Sequence, residues 1–322
     1  MSSNHSKLAK PVVIAIGGNA ITREFEEGNI YQQFANTRQS LTGVVEMISE
    51  GHRVVLTHGN GPQIGNSLIR MEASRHLVPP IPLGVLVADT EGGMGYMIEQ
   101  SLQNMLHRRK IKGKAATILT QVIVDRNDPS ISNPTKFVGP FYTQNEADKI
   151  RRKRGWILKE DAGRGWRRVV PSPHPLEIVE KEFICELIEK GVVVIACGGG
   201  GIPVYVEEDG TYEGVDGVID KDLAAAVLAR DVQAYLLIIL TSVDRVALHF
   251  GTDRQIDLDR LSVSEAKIHL AEGEFPPGSM GPKIEASIQF LEQGGEEVLI
   301  TSVERMTDGR RGITGTRILP DK

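Results

Sequence analysis

Cysteine is almost absent: the 322 residues contain only Cys185 and Cys197, which form neither a CxxC pair nor a disulfide framework. Such usage suits a reducing compartment, and both thiols are expected to pack as small buried hydrophobes. Aromatic residues are scarce at 5%, and no apolar run approaches the roughly 20 residues needed to cross a bilayer. The longest runs, residues 192–197 and 234–240, read instead as buried strands. Residues 1–10 are polar with scattered lysines and lack the apolar stretch of a secretory signal, so the expected location is cytoplasmic, with no membrane partner. A large charge excess is missing too. The formal net charge is -5, which provides no general attraction to nucleic acid or to an anionic membrane and leaves a small molecule as the expected partner.

Several familiar signatures are also lacking. A dinucleotide fingerprint needs GxGxxG, but Gly198-x-Gly200 meets Pro203 at the third glycine position, and Gly59-x-Gly61 meets Ile64. The one Gly-Lys pair, Gly113-Lys114, is followed by Ala115 and has no glycine five residues before it, so there is no Walker A loop. Any bound ATP must therefore be held in another way. HExxH, GxSxG and the protein-kinase catalytic loop do not occur, which removes common metalloprotease, hydrolase and protein-kinase readings.

What is present is a repeating cadence. Val12–Ile16 is an unbroken apolar run, β-branched except at Ala15, ending at Gly17-Gly18-Asn19 and followed by a polar loop and a helical pattern over residues 33–50. Similar apolar runs lead into His58-Gly59-Asn60-Gly61, into the polar stretch after Val124, into Gly198-Gly199-Gly200-Gly201 and into Thr241. Amphipathic helices over residues 95–107 and 221–230 separate them. Runs apolar throughout, alternating with helices, predict an α/β fold with a mostly parallel sheet covered on both faces. Residues 125–175 break the cadence, being rich in Pro, Gly, Arg and Lys and showing no helix period before about residue 144. Long irregular segments are uncommon in compact domains unless they are functional, so this stretch reads as a protruding, lid-like insertion.

In open parallel sheets, ligands bind beyond the carboxyl ends of the strands, where backbone N–H groups face anions. Any one glycine turn here can be explained by the needs of a tight turn; three at corresponding strand ends can line one crevice. Two lysines, Lys221 in Asp220-Lys221-Asp222 and Lys283 in Gly278-Ser279-Met280-Gly281-Pro282-Lys283, open helices where an anion would be welcome. The plainer alternative is that Asp220 caps a helix and Lys221 is solvated.

Taken together, these segments resemble the carbamate kinase branch of the amino-acid kinase family, from about residue 12 to about residue 319. Asn133-Pro134-Thr135-Lys136 and the Gly278 to Lys283 segment are particular to that branch. The resemblance implies a three-layer αβα sandwich in which residues 11–205 form a lobe for carbamate or carbamoyl phosphate, with 125–175 overhanging it. Residues 206–322 would form the ATP/ADP lobe. It further implies a homodimer and Mg²⁺ arriving with the nucleotide, held mainly by phosphates and water with no dedicated protein ligands. By matching positions, Gly17, Gly18, Asn19, Gly59, Asn60 and Gly61 would cradle the acceptor. Lys136 and Lys221 would meet the transferring group, Asp222 would orient the lysines, and Lys283, with Lys221, Thr241 and Met280, would serve the nucleotide.

These residue types suit phosphoryl transfer, which asks mainly for positioning and for neutralisation of charge on oxygen. Carbamate is already an anionic nucleophile, so no general base is needed, and His58 is expected to be structural. One departure from the branch is Glu91, where relatives more often carry glutamine; a carboxylate beside an anion would repel it, so Glu91 must point away or the acceptor site is altered. Two rival readings remain open at this point. One is a different family member acting on a carboxylate such as acetylglutamate, or on UMP; the other is a nucleic-acid binder using the basic residues 149–168 with Trp156 and Trp166.

Overall fold

The computed structural model describes residues 10–23, 25–161 and 163–321; residues 1–9 of the polar start lie outside the described residues. Eight strands form the central sheet: β1 (Val12–Ile16), β2 (Val54–His58), β3 (Lys114–Thr117), β4 (Val192–Ile195), β5 (Leu236–Thr241), β6 (Arg260–Ser262), β7 (Glu297–Ser302) and β8 (Thr316–Leu319). Their spatial order is β6-β8-β7-β5-β1-β2-β4-β3. The six strands from β3 to β7 run parallel, while β8 is antiparallel to β7 and β6 follows β8.

The unbroken apolar runs are explained by two-sided burial. Successive strand side chains point to opposite faces. Accordingly Val13 and Ala15 of β1 join one core with Ala224–Leu228, while Val12, Ile14 and Ile16 join another with Val44, Met97 and Leu102. Strand β5 divides in the same way, Leu237 and Ile239 against Leu236, Ile238 and Leu240. Helices on both faces give the three-layer α/β sandwich expected from the sequence. Fully burying each such side chain contributes roughly 1.5–3 kcal/mol.

Four helices matter for the site: α1 (Gly61–Ser74), α2 (Leu83–Arg108), α3 (Lys221–Asp231) and α4 (Met280–Glu292). The expected helix over 33–50 is in fact two, Ile30–Ser40 and Thr42–Ser49, meeting at Leu41. The apolar stretch 115–124 is likewise not one strand. Strand β3 ends at Thr117, and Gln121–Val124 belongs to a second sheet with Pro175–Ile178, Ile202–Val206 and Tyr212–Gly214. The break is fixed by Thr120, whose N–H donates to Glu91 while its hydroxyl donates to the Ile118 carbonyl. Cys197 is buried as expected, but Cys185 is only half-buried.

The insertion is more regular than its composition suggests. Lys136–Tyr142, Leu158–Glu160 and Trp166–Val170 form an antiparallel sheet, and the helix Gln144–Arg154 has a complete capping box at Thr143 and Glu146. Val138 and Val170 of this sheet pack with Ile64 and Leu68 of α1 and with Leu83 and Val87 of α2. The basic residues have local work: Arg151 stacks on Trp166, and Arg154 and Arg168 stack on Trp156. Ion pairs from Arg154 to Glu72 and from Arg168 to Asp216 tie the insertion to the body. Among the described residues, no helix is long and apolar enough to cross a membrane.

Candidate active site

The carboxyl ends of β1, β2 and β5 open into one cavity of about 660 Å³. Gly17, Gly18 and Asn19 line it after β1, and Gly59, Asn60 and Gly61 after β2. These two turns touch each other: a Cβ on Gly59 would lie 2.8 Å from the Gly18 nitrogen and 3.1 Å from Cδ of Lys221. Glycine is required there because one backbone lies against another and against the stem of a lysine. Asn60 caps α1 by position, but its side chain donates to Thr90 of α2, so no side chain caps the first turn of α1, whose Gly61 lines the cavity.

Lys136, Lys221 and Lys283 line the same space with Asp220 and Asp222, the stem of Lys221 lying against the Gly59 turn. Asp222, on the first turn of α3, is a two-armed bridge. Lys221 Nζ donates to Oδ1, and Lys283 Nζ to Oδ2 at 3.0 Å. Burial alone would raise this carboxyl, but the two ammonium groups hold it well below the usual carboxylate range. Lys221 is itself lowered, by burial first, although Asp222 pulls the other way. Asp220 caps α3 by accepting the Asp222 N–H at 2.9 Å, and its second oxygen accepts from Lys136 Nζ at 2.6 Å.

The structure thus gathers nearly every residue named from the sequence around one cavity, Thr241 included. Met280 stands apart: it opens α4 but packs against the core and is not among the cavity's lining residues. The third glycine turn also differs from expectation, because only Gly199 of residues 198–201 reaches the cavity. Its φ is +69°, and a Cβ there would fall 2.0 Å from Nδ2 of Asn60. This turn is chiefly a wedge between β2, α2 and α3. Arg23, Arg167 and Glu304 line the cavity without any local sequence signal.

Glu91 points away from the cavity. It is 1% exposed, and its two oxygens accept the N–H groups of Gly198, at 2.9 Å, and of Thr120, at 3.2 Å. Burial pushes its pKa up to about 8, against the opposing pull of those two N–H donors. Glu91 is therefore a buried tie that holds the glycine wedge. His58 is fully buried beside the same wedge, and burial pushes it down to about 4, so it is neutral at pH 7.

The signs of the two linkages oppose each other. The folded protein holds the Glu91 proton more tightly than the unfolded chain, so this stabilisation is lost as pH rises from about 4.5 to about 8. The His58 contribution is lost as pH falls from about 6.5 to about 4. From pH 6.5 to 8 only the Glu91 slope remains. Urea unfolding across that window should show stability falling in the parent protein and a flatter profile in Glu91→Gln. Parallel profiles would mean that Glu91 is already ionised throughout.

Comparison with known proteins gives the family. The model of the amino acid kinase family matches residues 10–302. Carbamate kinase of Pyrococcus furiosus is 48% identical over 97% of this chain and all of its own length, and the carbamate kinase-like protein YahI of Escherichia coli is 48% identical over 96% of this chain and 98% of its own. Carbamate kinase from Giardia lamblia bound to AMP-PNP superposes with a TM-score of 0.90 at 42% identity, covering 97% of this chain and 99% of that one. The chain belongs to the amino acid kinase family. Within it, the chain is an ATP-dependent phosphotransferase of the carbamate kinase branch.

Proposed function

We propose that this protein catalyses reversible phosphoryl transfer between ATP and carbamate, giving ADP and carbamoyl phosphate. The observation that carries the reading is that Lys136, Lys221 and Lys283 line one cavity with the paired turns at Gly17-Gly18 and Gly59-Asn60. The turns and the first turn of α1 offer backbone N–H groups to the acceptor. Lys221 and Lys136 neutralise charge on the transferring group, and Lys283, near the end of β5 at Thr241, neutralises the nucleotide phosphates. Asp222 holds Lys221 and Lys283 at a fixed separation. Carbamate attacks in line through its own anionic oxygen, so no side chain has to remove a proton; His58, neutral and walled in by the glycine wedge, has no such task.

Magnesium enters with the nucleotide, as part of the Mg-ATP or Mg-ADP substrate. Both aspartates beside the lysines are already engaged by ammonium groups, which suits a hard cation that keeps its waters and binds through phosphates. Its contribution is charge neutralisation on the phosphate oxygens. The protein is further proposed to act in the cytoplasm, as a homodimer, with the glycine turns on the lobe that takes the acceptor and the ends of β5 and β7 on the lobe that takes the nucleotide. Purified protein given Mg-ADP and carbamoyl phosphate should form ATP. Activity only with another acyl phosphate would sink the acceptor assignment and leave the reaction class standing.

A further inference from the structure

We propose that Asp220 is the resting partner of Lys136 and competes with the phosphoryl-bearing anion for that lysine, thereby setting how tightly the acceptor-side anion is held. The inference rests on the reaction proposed above and adds a residue whose evident role is only to cap a helix. Lys136 opens the first strand of the insertion, whereas Asp220 ends the loop before α3 on the body. Their pair, at 2.6 Å, therefore ties the insertion to the body at the cavity that both residues line. The side chains are 33% and 15% exposed, so water screens the attraction only in part.

The charge arrangement is uneven. Lys221 and Lys283 share the single carboxylate of Asp222, but Lys136 has one oxygen of Asp220 to itself. An incoming phosphate thus meets two lysines with charge to spare and a third that is already neutralised. To recruit Lys136, it must draw the ammonium group away from Asp220. The exchange is feasible because a lysine carries three donors on a flexible stem, and because Asp220 keeps the Asp222 N–H on its other oxygen when the lysine leaves. Removing the negative charge of Asp220 should therefore strengthen anion binding through Lys136. If Asp220 acted only as a cap, loss of its charge would not depend on Lys136 at all.

Asn is as good a helix cap as Asp, so Asp220→Asn removes the competing charge and leaves the helix start intact. The test is a double-mutant cycle of Asp220→Asn with Lys136→Ala. Two readouts are used: calorimetric binding of inorganic phosphate, and kcat and KM for carbamoyl phosphate with saturating Mg-ADP. In the parent background, Asp220→Asn should tighten phosphate binding and lower KM by about 2- to 5-fold, the range of a partly exposed ion pair, with no rise in kcat. In the Lys136→Ala background that gain should shrink to the part that comes from direct repulsion of the anion by Asp220. A gain of equal size in both backgrounds, or weaker binding in the first, would overturn the proposal, as would failure of the parent protein to bind phosphate. If phosphate behaves as expected but carbamoyl phosphate is not turned over, the competition stands and the acceptor assignment fails.

Discussion

Lys221→Ala should lower kcat for ATP formation by about 10²- to 10³-fold, the loss that follows removal of one preorganised charge-stabilising donor from an active site. The geometry gives the reason. The stem of Lys221 lies against Gly59, so its ammonium group is delivered to the mouth of the acceptor turns, and Asp222 fixes it there. The plainer alternative, a solvated residue, does not fit a side chain that is only 14% exposed. Stability should still change little, because Asp222 keeps Lys283 as a partner when Lys221 is removed. Steady-state kinetics with urea unfolding on the same variant separates the two effects. A kcat within a few-fold of the parent would reduce Lys221 to a packing residue.

The second large effect is expected at Asp222, and here activity and stability should fall together. Asp222→Ala leaves two largely buried ammonium groups facing each other with no carboxylate between them. Breaking a buried pair by removing one partner costs about 3–5 kcal/mol, because the remaining charge is left uncompensated. Turnover should drop by at least the ~10²-fold that accompanies misplacement of a catalytic group by about 1 Å. The two losses can be tied to one cause. An anion bound between the lysines would replace the missing carboxylate, so added inorganic phosphate should stabilise Asp222→Ala more than the parent against urea. Equal stabilisation of both proteins would show that Asp222 does not hold the lysine pair together.

The layered sheet is legible in the sequence because two-sided burial leaves a direct trace, an apolar run without polar alternation, as at Val12–Ile16 and Leu236–Leu240. The same trace misleads at residues 115–124, where apolar character continues through a change of sheet. Only a tertiary contact, the Glu91 carboxyl on the Thr120 N–H, marks the corner. The insertion is hard to read for a different reason. Its strands are short or interrupted by Gly139 and Pro140, and its arginines stack on its tryptophans in contacts that no local pattern marks.

At the site, the glycines and lysines announce themselves by position at strand ends and helix starts. Arg23 and Glu304 do not, since they reach the cavity as an ion pair formed across 281 positions of sequence. The role of Glu91 is equally invisible in one dimension: its distance from the cavity follows from the packing of α2 behind the glycine wedge. Met280 shows the converse, a residue inside a characteristic segment whose side chain turns to the core.

The central claim is that the turns and lysines hold a carbamoyl-sized acceptor in line with the nucleotide. It is tested most directly by kcat/KM for ATP formation from Mg-ADP and three donors: carbamoyl phosphate, acetyl phosphate and acetylglutamyl phosphate. The predicted result is a clear preference for carbamoyl phosphate, with acetylglutamyl phosphate inactive. Equal or greater efficiency with acetylglutamyl phosphate would contradict the claim.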